Sequence, residues 1–360
     1  MAENVISFNR GVPPEKSFPI DWLADCTATA LNEDGAVILQ YGNPAGYPLL
    51  VERLAESLKV DESQIIIGQG SLQLLDFLVK SDESNALNIF VEQPTYDRPL
   101  TIFKRAGIKL SSFQLKRGRL SLEEIENSLT IVIPDYFYII PDFQNPSGAV
   151  MPLEDRKRIT ALAKRYRFTL IEDATYRELR YTGKQLPSLF ELMPDSVIYM
   201  SSFSKLISPG LRVGYMAGEP QLIQRLKEYA QNTYISGTFL SQAAIYQFIQ
   251  KGLLSKQLEM LKKLYADHLS VLLEALTSQL SHAANWIEPE GGFFVGVFLK
   301  NGYQLAPLEQ CRDAGLGLFD SKKFFLEGGE NFIRLPFCAL NEVEIEEGVK
   351  RLAGLITKLN

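Results

Sequence analysis

A lysine and an arginine stand seven residues apart in the segment 201–215, which reads SSFSKLISPGLRVGY. An apolar run at residues 197–200 precedes it, which is typical of a strand that ends at a site. Lys205 can condense with an aldehyde to form a Schiff base, while serine hydroxyls and the planar guanidinium of Arg212 suit a phosphate group. An aldehyde and a phosphate on one small molecule describe pyridoxal 5′-phosphate (PLP). The competing interpretation is a loop with a solvated lysine and arginine.

A glycine turn provides a second candidate phosphate site. Three isoleucines at residues 65–67 lead into the sequence GQGSLQ, and an apolar helical pattern follows. A turn between a strand and a helix leaves backbone N–H groups free to face an anion, so Gly70, Ser71 and Leu72 are candidate phosphate ligands. A glycine turn alone is weak evidence, and an ordinary turn is the alternative.

Two charged residues occur within apolar, strand-like sequence. Asp173 follows the run at residues 169–171 and would be desolvated there unless it is paired; a helix N-cap is the alternative role. Arg334 lies inside FIRLPF, and a buried guanidinium needs an anion. A structural ion pair would satisfy Arg334 equally well.

Taken together, these segments resemble the fold-type I aminotransferases of the class I/II family, in family order and at family spacing over nearly the whole chain. SxSK followed by PGLRxGY, and FQNPSG at residues 143–148, are the most specific matches. Within the family the chain is similar to the 2-aminoadipate and aromatic-type multisubstrate enzymes. The resemblance implies PLP as cofactor and transfer of an amino group between an amino acid and a 2-oxo acid.

The resemblance also implies a role for each matched residue. Lys205 would hold the cofactor as a Schiff base and carry a proton, Asp173 would pair with the pyridine nitrogen, and Tyr96 would stack on the ring. Arg334 would bind the substrate's α-carboxylate, with Asn145 beside it. Leu72 replaces a family glutamine, so one side-chain contact to the phosphate is in doubt. The other implied ligands are those of the phosphate, Gly70, Ser71, Ser202, Ser204 and Arg212, and those of the phenolic oxygen, Asn145 and Tyr176.

Two further residues are candidates for contacts with a second subunit and with the substrate side chain. Tyr41, in LQYGNPAGY, resembles the tyrosine that reaches the phosphate of the neighbouring protomer, which implies a homodimer. Arg10, in SFNRG, stands where the family often has a smaller residue. It is a candidate for binding an acidic substrate side chain, and a solvated arginine is an equal alternative.

Composition excludes several other classes of protein. A net charge of −6 and a pI near 5.3 argue against nucleic-acid binding, which needs a basic patch. The three separated cysteines suggest neither a zinc site nor a redox pair, so no metal is expected. His268 and His282 fall in or after a long helical stretch, which favours structural or exposed roles. No basic leader or apolar run of about 20 residues is present, so a cytoplasmic, membrane-free protein is expected.

The alternation of short apolar runs with amphipathic helices predicts an α/β fold, with a mostly parallel central sheet, helices on both faces and a smaller α+β domain. We expect a large PLP-binding domain at residues 36–251 and a small domain built from residues 1–35 and 252–360. The candidate strands of the large sheet are residues 65–67, 87–91, 130–133, 169–171, 197–200 and 213–217, and a closing helix is expected at residues 342–359.

Two other functions compete with transamination. The first is a different PLP reaction on an amino acid, such as decarboxylation, elimination or cyclisation, and the cofactor motifs do not separate these. The second is a non-catalytic PLP-binding sensor of the kind fused to winged-helix DNA-binding domains. We expect no room for such a domain because the motifs begin by Tyr41, and the combination of Lys205, Asp173 and Arg334 favours chemistry.

Overall fold

The computed structural model describes residues 5–82 and 86–359 of the chain. The strands within these residues are, in chain order, β1 (Ile6–Phe8), β2 (Ile65–Gly68), β3 (Asn88–Gln93), β4 (Lys109–Lys116), β5 (Arg119–Leu120), β6 (Tyr136–Ile139), β7 (Thr169–Asp173), β8 (Val197–Ser202), β9 (Gly214–Ala217), β10 (Ala284–Trp286), β11 (Phe294–Leu299), β12 (Tyr303–Leu305), β13 (Leu316–Leu318), β14 (Phe332–Pro336) and β15 (Ile356–Lys358). The helices are α1 (Ile20–Ile38), α2 (Pro48–Leu58), α3 (Ser71–Lys80), α4 (Asp97–Arg105), α5 (Leu122–Leu129), α6 (Leu153–Tyr166), α7 (Leu189–Leu192), α8 (Pro220–Tyr234), α9 (Phe239–Gln250), α10 (Leu253–Leu280), α11 (Leu308–Asp313) and α12 (Glu342–Gly354).

The largest sheet has the strand order β2-β9-β8-β7-β6-β3-β4-β5. Strands β4, β3, β6, β7 and β8 are parallel, while β9 runs antiparallel to both of its neighbours. Ile66 packs into one hydrophobic cluster while Ile65 and Ile67 pack into another, because successive strand residues face opposite sides of a sheet. Both faces are therefore covered, which confirms the predicted α/β fold with a mostly parallel sheet.

A smaller set of elements surrounds the antiparallel sheet β10-β11-β14. Strand β1, from the amino-terminal part, pairs with β13 in parallel, and the long helix α10 packs against α12. Helix α1 lies along α9. The amino-terminal strand is thus held by elements that lie more than 300 residues later in the chain.

Most of the predicted elements match the structure, and two do not. The predicted strand at residues 130–133 is wrong, since this segment follows α5 with Ile131 and Ile133 exposed, and the strand is instead β6. The apolar residues 131–133 predict a buried strand, but the buried strand has the aromatic-rich sequence YFYI, Tyr136–Ile139. The predicted closing helix at residues 342–359 ends early, at Gly354, and β15 follows because Ile356 pairs with Leu305.

Within residues 5–82 and 86–359, no helix combines the length and the apolar character that crossing a membrane requires. Cys26, Cys311 and Cys338 are free and buried, as the sequence suggested. His268 is buried, and its Nδ1 lies 3.1 Å from the carbonyl oxygen of Phe337, which fits a structural role.

Candidate active site

A cavity of about 120 Å³ lies at the carboxyl ends of β7 and β8. A wider, more open crevice of about 730 Å³ lies among β12, α11 and β14, but none of the predicted site residues lines it. We therefore take the smaller cavity as the candidate site. Its lining contains most of the residues that the motifs selected and comprises Gly70, Ser71, Leu72, Tyr96, Ile140, Asn145, Asp173, Thr175, Tyr176, Ser202, Ser204, Lys205, Pro209 and Arg212.

Lys205 follows the end of β8 and is held in apolar surroundings. Its Nζ donates a hydrogen bond to the carbonyl oxygen of Gly11 at 2.8 Å and lies 5.7 Å from the centre of the Phe293 ring. Burial lowers the pKa of the Lys205 amine below its ordinary value, and the cations Arg334 and Arg212 lower it further. A lysine with a lowered pKa is more often a neutral nucleophile and base.

Asp173 is the last residue of β7 and is buried. Its carboxylate accepts hydrogen bonds from the Tyr138 hydroxyl at 2.6 Å and from the Thr175 hydroxyl at 2.7 Å. Burial raises the pKa of the Asp173 carboxyl, and these hydrogen bonds oppose that rise. A buried carboxylate with neutral donors alone is a suitable partner for a cation in the cavity.

Sequence reasoning missed Tyr138 and Thr175. Tyr138 is fully buried on β6, the neighbour of β7 in the sheet, and its hydroxyl fixes one oxygen of Asp173 while Thr175 fixes the other. The signal for Tyr138 was a tyrosine within an all-buried strand, because a buried hydroxyl requires a partner. Thr175 carried only the weaker signal of lying two residues after the aspartate.

The other end of the cavity suits an anion. Gly70, with φ of 86°, precedes the first turn of α3, whose leading N–H groups have no partner within the helix. Arg212 Nη2 lies close to this turn and donates to the Gln69 carbonyl oxygen at 3.0 Å. A Cβ on Gly70 would lie 2.5 Å from that nitrogen, so a side chain there would displace the guanidinium.

Two serines complete this end of the cavity. The Ser202 and Ser204 hydroxyl oxygens lie 2.9 Å apart, and the Ser204 backbone N–H donates to Ser202 Oγ. Leu72 also lines the cavity, but its side chain brings no hydrogen-bonding group there. The hydroxyls, the helix N-terminus and Arg212 therefore provide the donors for a phosphate.

Arg334 on β14 is buried and has an unusual environment. Its guanidinium carbon lies 4.8, 4.9 and 4.7 Å from the ring centres of Phe294, Phe319 and Phe324 respectively. Nη1 donates to Asn145 Oδ1 at 3.2 Å and Nη2 to the Asn9 carbonyl oxygen at 2.9 Å. Within the described residues, its Nε has no hydrogen-bond partner, and burial lowers the pKa of this arginine.

The amino-terminal segment 9–12 closes one side of the site. Carbonyl oxygens of Asn9, Gly11 and Val12 accept hydrogen bonds from Arg334, Lys205 and Cys338, in that order. No sequence pattern indicated these backbone contacts, because they join residues about 200 to 330 positions apart. The segment therefore binds side chains of both the large sheet and β14.

Three further predicted residues, Asn145, Tyr176 and Tyr96, line the cavity. Asn145 uses its Oδ1 for Arg334, so its amide nitrogen is the group left to donate. Tyr176 is buried against Phe293 and Phe294, with ring centres 5.4 and 5.6 Å away. Tyr96 opens α4 at the cavity, and burial raises the pKa of its hydroxyl to about 12, which keeps it neutral.

Three predicted residues, Arg334, Tyr41 and Arg10, are not among those that line the cavity of their own chain. Arg334 is hydrogen-bonded to the cavity residue Asn145, whereas the other two are exposed. Tyr41 has 79% of its surface exposed, and the Leu39 side chain beside it is 77% exposed. The Arg10 side chain is exposed as well, although the backbone on either side of it touches Arg334 and Lys205. Both residues keep their predicted roles as hypotheses.

The residues of the cavity fit PLP. Their donors form an anion-binding end, a buried carboxylate stands ready for a pyridine nitrogen, and Lys205 offers an amine of lowered pKa. The unpartnered Nε of Arg334 leaves a donor for a second, smaller anion at the same site. The fold and the cavity together define a PLP-dependent enzyme of fold type I.

Comparison with known proteins identifies the family. The family model described as aminotransferase class I and II matches residues 3–352. The chain belongs to this family and is a PLP-dependent aminotransferase, which confirms the family, fold, cofactor and activity that the motifs predicted.

Individual relatives agree with this. The chain is 32% identical to 2-aminoadipate transaminase of Thermus thermophilus, over 99% of this chain and 91% of that protein, and 31% identical to aromatic-amino-acid aminotransferase 1 of Thermococcus litoralis, over 98% and 88%. A solved Thermus thermophilus α-aminoadipate aminotransferase, complexed with N-(5′-phosphopyridoxyl)-L-leucine, superimposes with a TM-score of 0.92 at 31% identity, covering 98% of this chain and 92% of that one. The chain is also 28% identical to an uncharacterized HTH-type transcriptional regulator of Bacillus subtilis, YdfD, over 89% of this chain and 67% of that protein.

Proposed function

We propose that this aminotransferase uses Lys205 as its reacting lysine and Arg334 as its receptor for the substrate's α-carboxylate. When bound, PLP supplies an aldehyde for the lysine amine and a ring that accepts electrons from the substrate's α-carbon. Asp173 holds the protonated pyridine nitrogen and thereby keeps that ring electron-poor, while Tyr96 packs on the ring face. Asn145 and Tyr176 donate to the phenolic oxygen.

Lys205 is proposed to carry the proton of the reaction. Its lowered pKa supports this role, because an amine with a lowered pKa is more readily found in the neutral form that would accept a proton from the substrate's α-carbon. The Gly11 carbonyl oxygen holds the amine at the edge of the cavity. Phosphate contacts from Gly70, Ser71, Leu72, Ser202, Ser204 and Arg212 would keep the ring in place during this movement.

The environment of Arg334 is the observation that carries the proposal. A buried guanidinium between aromatic rings, with neutral oxygens as its partners and an unpartnered Nε, favours a carboxylate ligand with paired oxygens. Because every α-amino acid has this carboxylate, Arg334 is expected to serve all substrates alike.

Selectivity for the substrate side chain is proposed to involve Arg10. Its neighbours Asn9 and Gly11 contact Arg334 and Lys205, so Arg10 belongs to the segment that borders the substrate. A cation at this position suits a second carboxylate, and the similarity to a 2-aminoadipate transaminase supports an acidic substrate. Arg10→Ala should then raise KM for dicarboxylic amino acids and leave KM for apolar ones unchanged.

The active species is proposed to be a cytoplasmic homodimer that binds no nucleic acid. The exposed side chains of Leu39 and Tyr41 support an interface, and the net charge of −6 disfavours a polyanion partner. We also propose the division into a large domain at residues 36–251 and a small domain at residues 1–35 and 252–360, supported by the pairing of β1 with β13. Residues 1–4, 83–85 and 360 of that division lie outside the described residues.

The main test follows the absorption spectrum of the PLP-bound protein while single amino acids are added. Conversion to the pyridoxamine form with release of the matching 2-oxo acid supports the proposal. Release of carbon dioxide, ammonia without an acceptor, or a cyclic product would show that another reaction is the main one. Binding of PLP with no product from any amino acid would favour the alternative function, a non-catalytic PLP-binding sensor.

A second test addresses the interface. Tyr41→Phe protomers mixed with Lys205→Ala protomers should form hybrid dimers in which one site carries both changes and the other carries neither. Activity should then return in part. If Tyr41 acts only within its own chain, each hybrid site has one defect and activity stays low.

A further inference from the structure

A buried ionic cluster lies beside the loop that carries Asn145. The fully buried Asp142 carboxylate meets three guanidinium groups, those of Arg156 at 2.7 Å, Arg177 at 3.1 Å and Arg180 at 3.5 Å. We call these four residues the Asp142 cluster. None of them lines the cofactor cavity, so the roles proposed above do not explain the cluster.

The cluster joins two segments that each deliver one ligand of the phenolic oxygen. Asp142 lies three residues before Asn145, and Arg177 directly follows Tyr176. The ion pair between Arg177 and Asp142 therefore ties the backbone of one ligand to the backbone of the other. We therefore expect the distance between Asn145 and Tyr176 to depend on this ion pair.

Arg156 alone would be enough to neutralise Asp142. It makes two hydrogen bonds to the carboxylate and three more to the carbonyl oxygens of Pro141, Met151 and Pro187. Arg177 and Arg180 add no charge that Asp142 needs, and each has a second carboxylate partner, Glu191 and Glu290 respectively. At Asp142 these two arginines therefore connect their own segment of the chain to the loop that carries Asn145.

The residue next to Asp142 is held in a strained backbone conformation. Phe143 has φ of 53°, a region that bulky residues rarely adopt. The Arg180 guanidinium covers its ring at 4.8 Å, and a Cβ on Gly292 would approach Phe143 Cβ to 2.4 Å. Arg180 and the glycine pair 291–292 thus clamp Phe143, two residues before Asn145.

We propose that Asp142 is a positioning residue of the reaction. Through Arg177 and Arg180 it fixes the relative positions of Asn145 and Tyr176, so that both donate to the phenolic oxygen at once. The inference rests on the proposed roles of those two residues. It also explains why a strained Phe143 is retained beside a buried charge cluster.

The test is a spectrophotometric pH titration of PLP-bound Arg177→Gln. Two donors withdraw negative charge from the phenolic oxygen, and when one is misplaced the oxygen holds the neighbouring Schiff-base proton more tightly. The pKa of the cofactor's absorption change should therefore rise by about one pH unit, the value of one hydrogen bond to a charged group. Glu191→Gln is the matched control, since it breaks the outer ion pair of Arg177 and leaves the Asp142 contact in place. Arg177→Lys should restore most of the wild-type titration.

A purely structural cluster gives a different result. Arg177→Gln would then lower the thermal stability and titrate like wild type, which would overturn the proposal. If Arg177→Gln does not fold, Arg180→Gln, which releases Phe143 and keeps the Arg177 tie, replaces it with the same expected rise. An unshifted titration there also overturns the proposal.

The variant Asn145→Ala distinguishes a failure of the positioning role from a failure of the proposed role of Asn145. If Asn145→Ala raises the titration pKa and the cluster variants do not, only the positioning role fails. If Asn145→Ala itself titrates like wild type, the proposed role of Asn145 is wrong and the positioning role falls with it.

Discussion

The two groups of buried arginines in this protein differ in where their counter-charge comes from. Arg156, fully buried, meets a carboxylate from the same chain at 2.7 Å and fills its remaining hydrogen-bond sites with backbone oxygens. Arg334, also buried, has neutral oxygens, three aromatic rings and an unpartnered Nε in the described part of the chain. Burial lowers the pKa of Arg334, and the Asp97 carboxylate opposes this shift only in part.

We expect this difference to separate a charge that stabilises the fold from a charge that binds a ligand. An ion pair satisfied within the chain costs much stability when one partner is removed, because the other stays buried and unpaired. A buried charge without such a partner adds little to stability, and its removal should affect ligand binding instead.

Lys205→Ala should abolish turnover, with a loss of about 10⁴-fold or more, because proton transfer and the covalent attachment are both removed. Borohydride reduction followed by mass spectrometry should place the PLP adduct on Lys205 in the wild type and show none in the variant. The cofactor-free variant should be at least as stable as wild type. An adduct on another lysine would contradict the assignment of the site.

Arg156→Ala should destabilise the fold by about 3–5 kcal/mol, since it leaves Asp142 buried with weaker partners. The midpoint of urea unfolding measures this loss. Lys157→Ala is the matched control on the same helix, because Lys157 is 56% exposed and pairs with Glu154 only at 3.8 Å. Equal unfolding midpoints for the two variants would remove the distinction between the arginine groups.

Arg334→Ala should lower kcat/KM about 10²-fold for every amino acid substrate, as expected when one partner of a buried charge pair is lost. Its unfolding midpoint should stay the same or rise. Arg334→Lys tests the need for paired hydrogen bonds to the carboxylate. An ammonium keeps the charge but lacks the planar pair of N–H donors, so it should recover only part of the activity. A strong loss of stability in Arg334→Ala would place this arginine with the structural group.

Glu92 extends the comparison to a carboxylate. It is buried, its partners are the Ile140 backbone N–H and the Gln144 amide, and burial raises the pKa of its carboxyl to about 8. Between its ordinary pKa of 4.5 and about 8, the folded state binds a proton that the unfolded state has lost, so stability falls as the pH rises through this window. The free energy of unfolding, measured with urea, should therefore fall less steeply with pH over that window for Glu92→Gln than for the wild type. Parallel pH profiles for the two proteins would show that Glu92 does not titrate there.

Residues with strong local motifs were predictable from the sequence. Asp173 ends a strand, and Gly70, Asn145 and Lys205 follow strands. Parallel strands bring such positions to one edge of a sheet. Their convergence in one cavity follows from the alternating pattern of strands and helices. Arg334 was predictable because a charge inside FIRLPF contrasts with its surroundings.

Contacts between distant, weakly patterned segments were not predictable. The tie between Asp142 and Arg177 joins turns 35 residues apart, and no spacing rule marks it. No sequence pattern distinguishes the carbonyl oxygens of segment 9–12, since every residue has one. The strand predicted at residues 130–133 failed for a related reason: Ile131 and Ile133 are apolar yet exposed, and only tertiary packing decides which apolar run becomes core.

The clamped guanidinium of Arg334 has a stereochemical consequence. Three rings and two hydrogen bonds fix it in space, so a bound carboxylate has to take up one position relative to Lys205. If the proposed roles hold, an α-carbon whose carboxylate lies at Arg334, whose nitrogen lies at the cofactor site and whose hydrogen faces Lys205 would have three of its four substituents defined. The side chain would be left a single direction, and the mirror-image amino acid would present it to the lysine in place of the hydrogen. The fixed arginine and the lysine would then select handedness together, before any residue contacts the side chain.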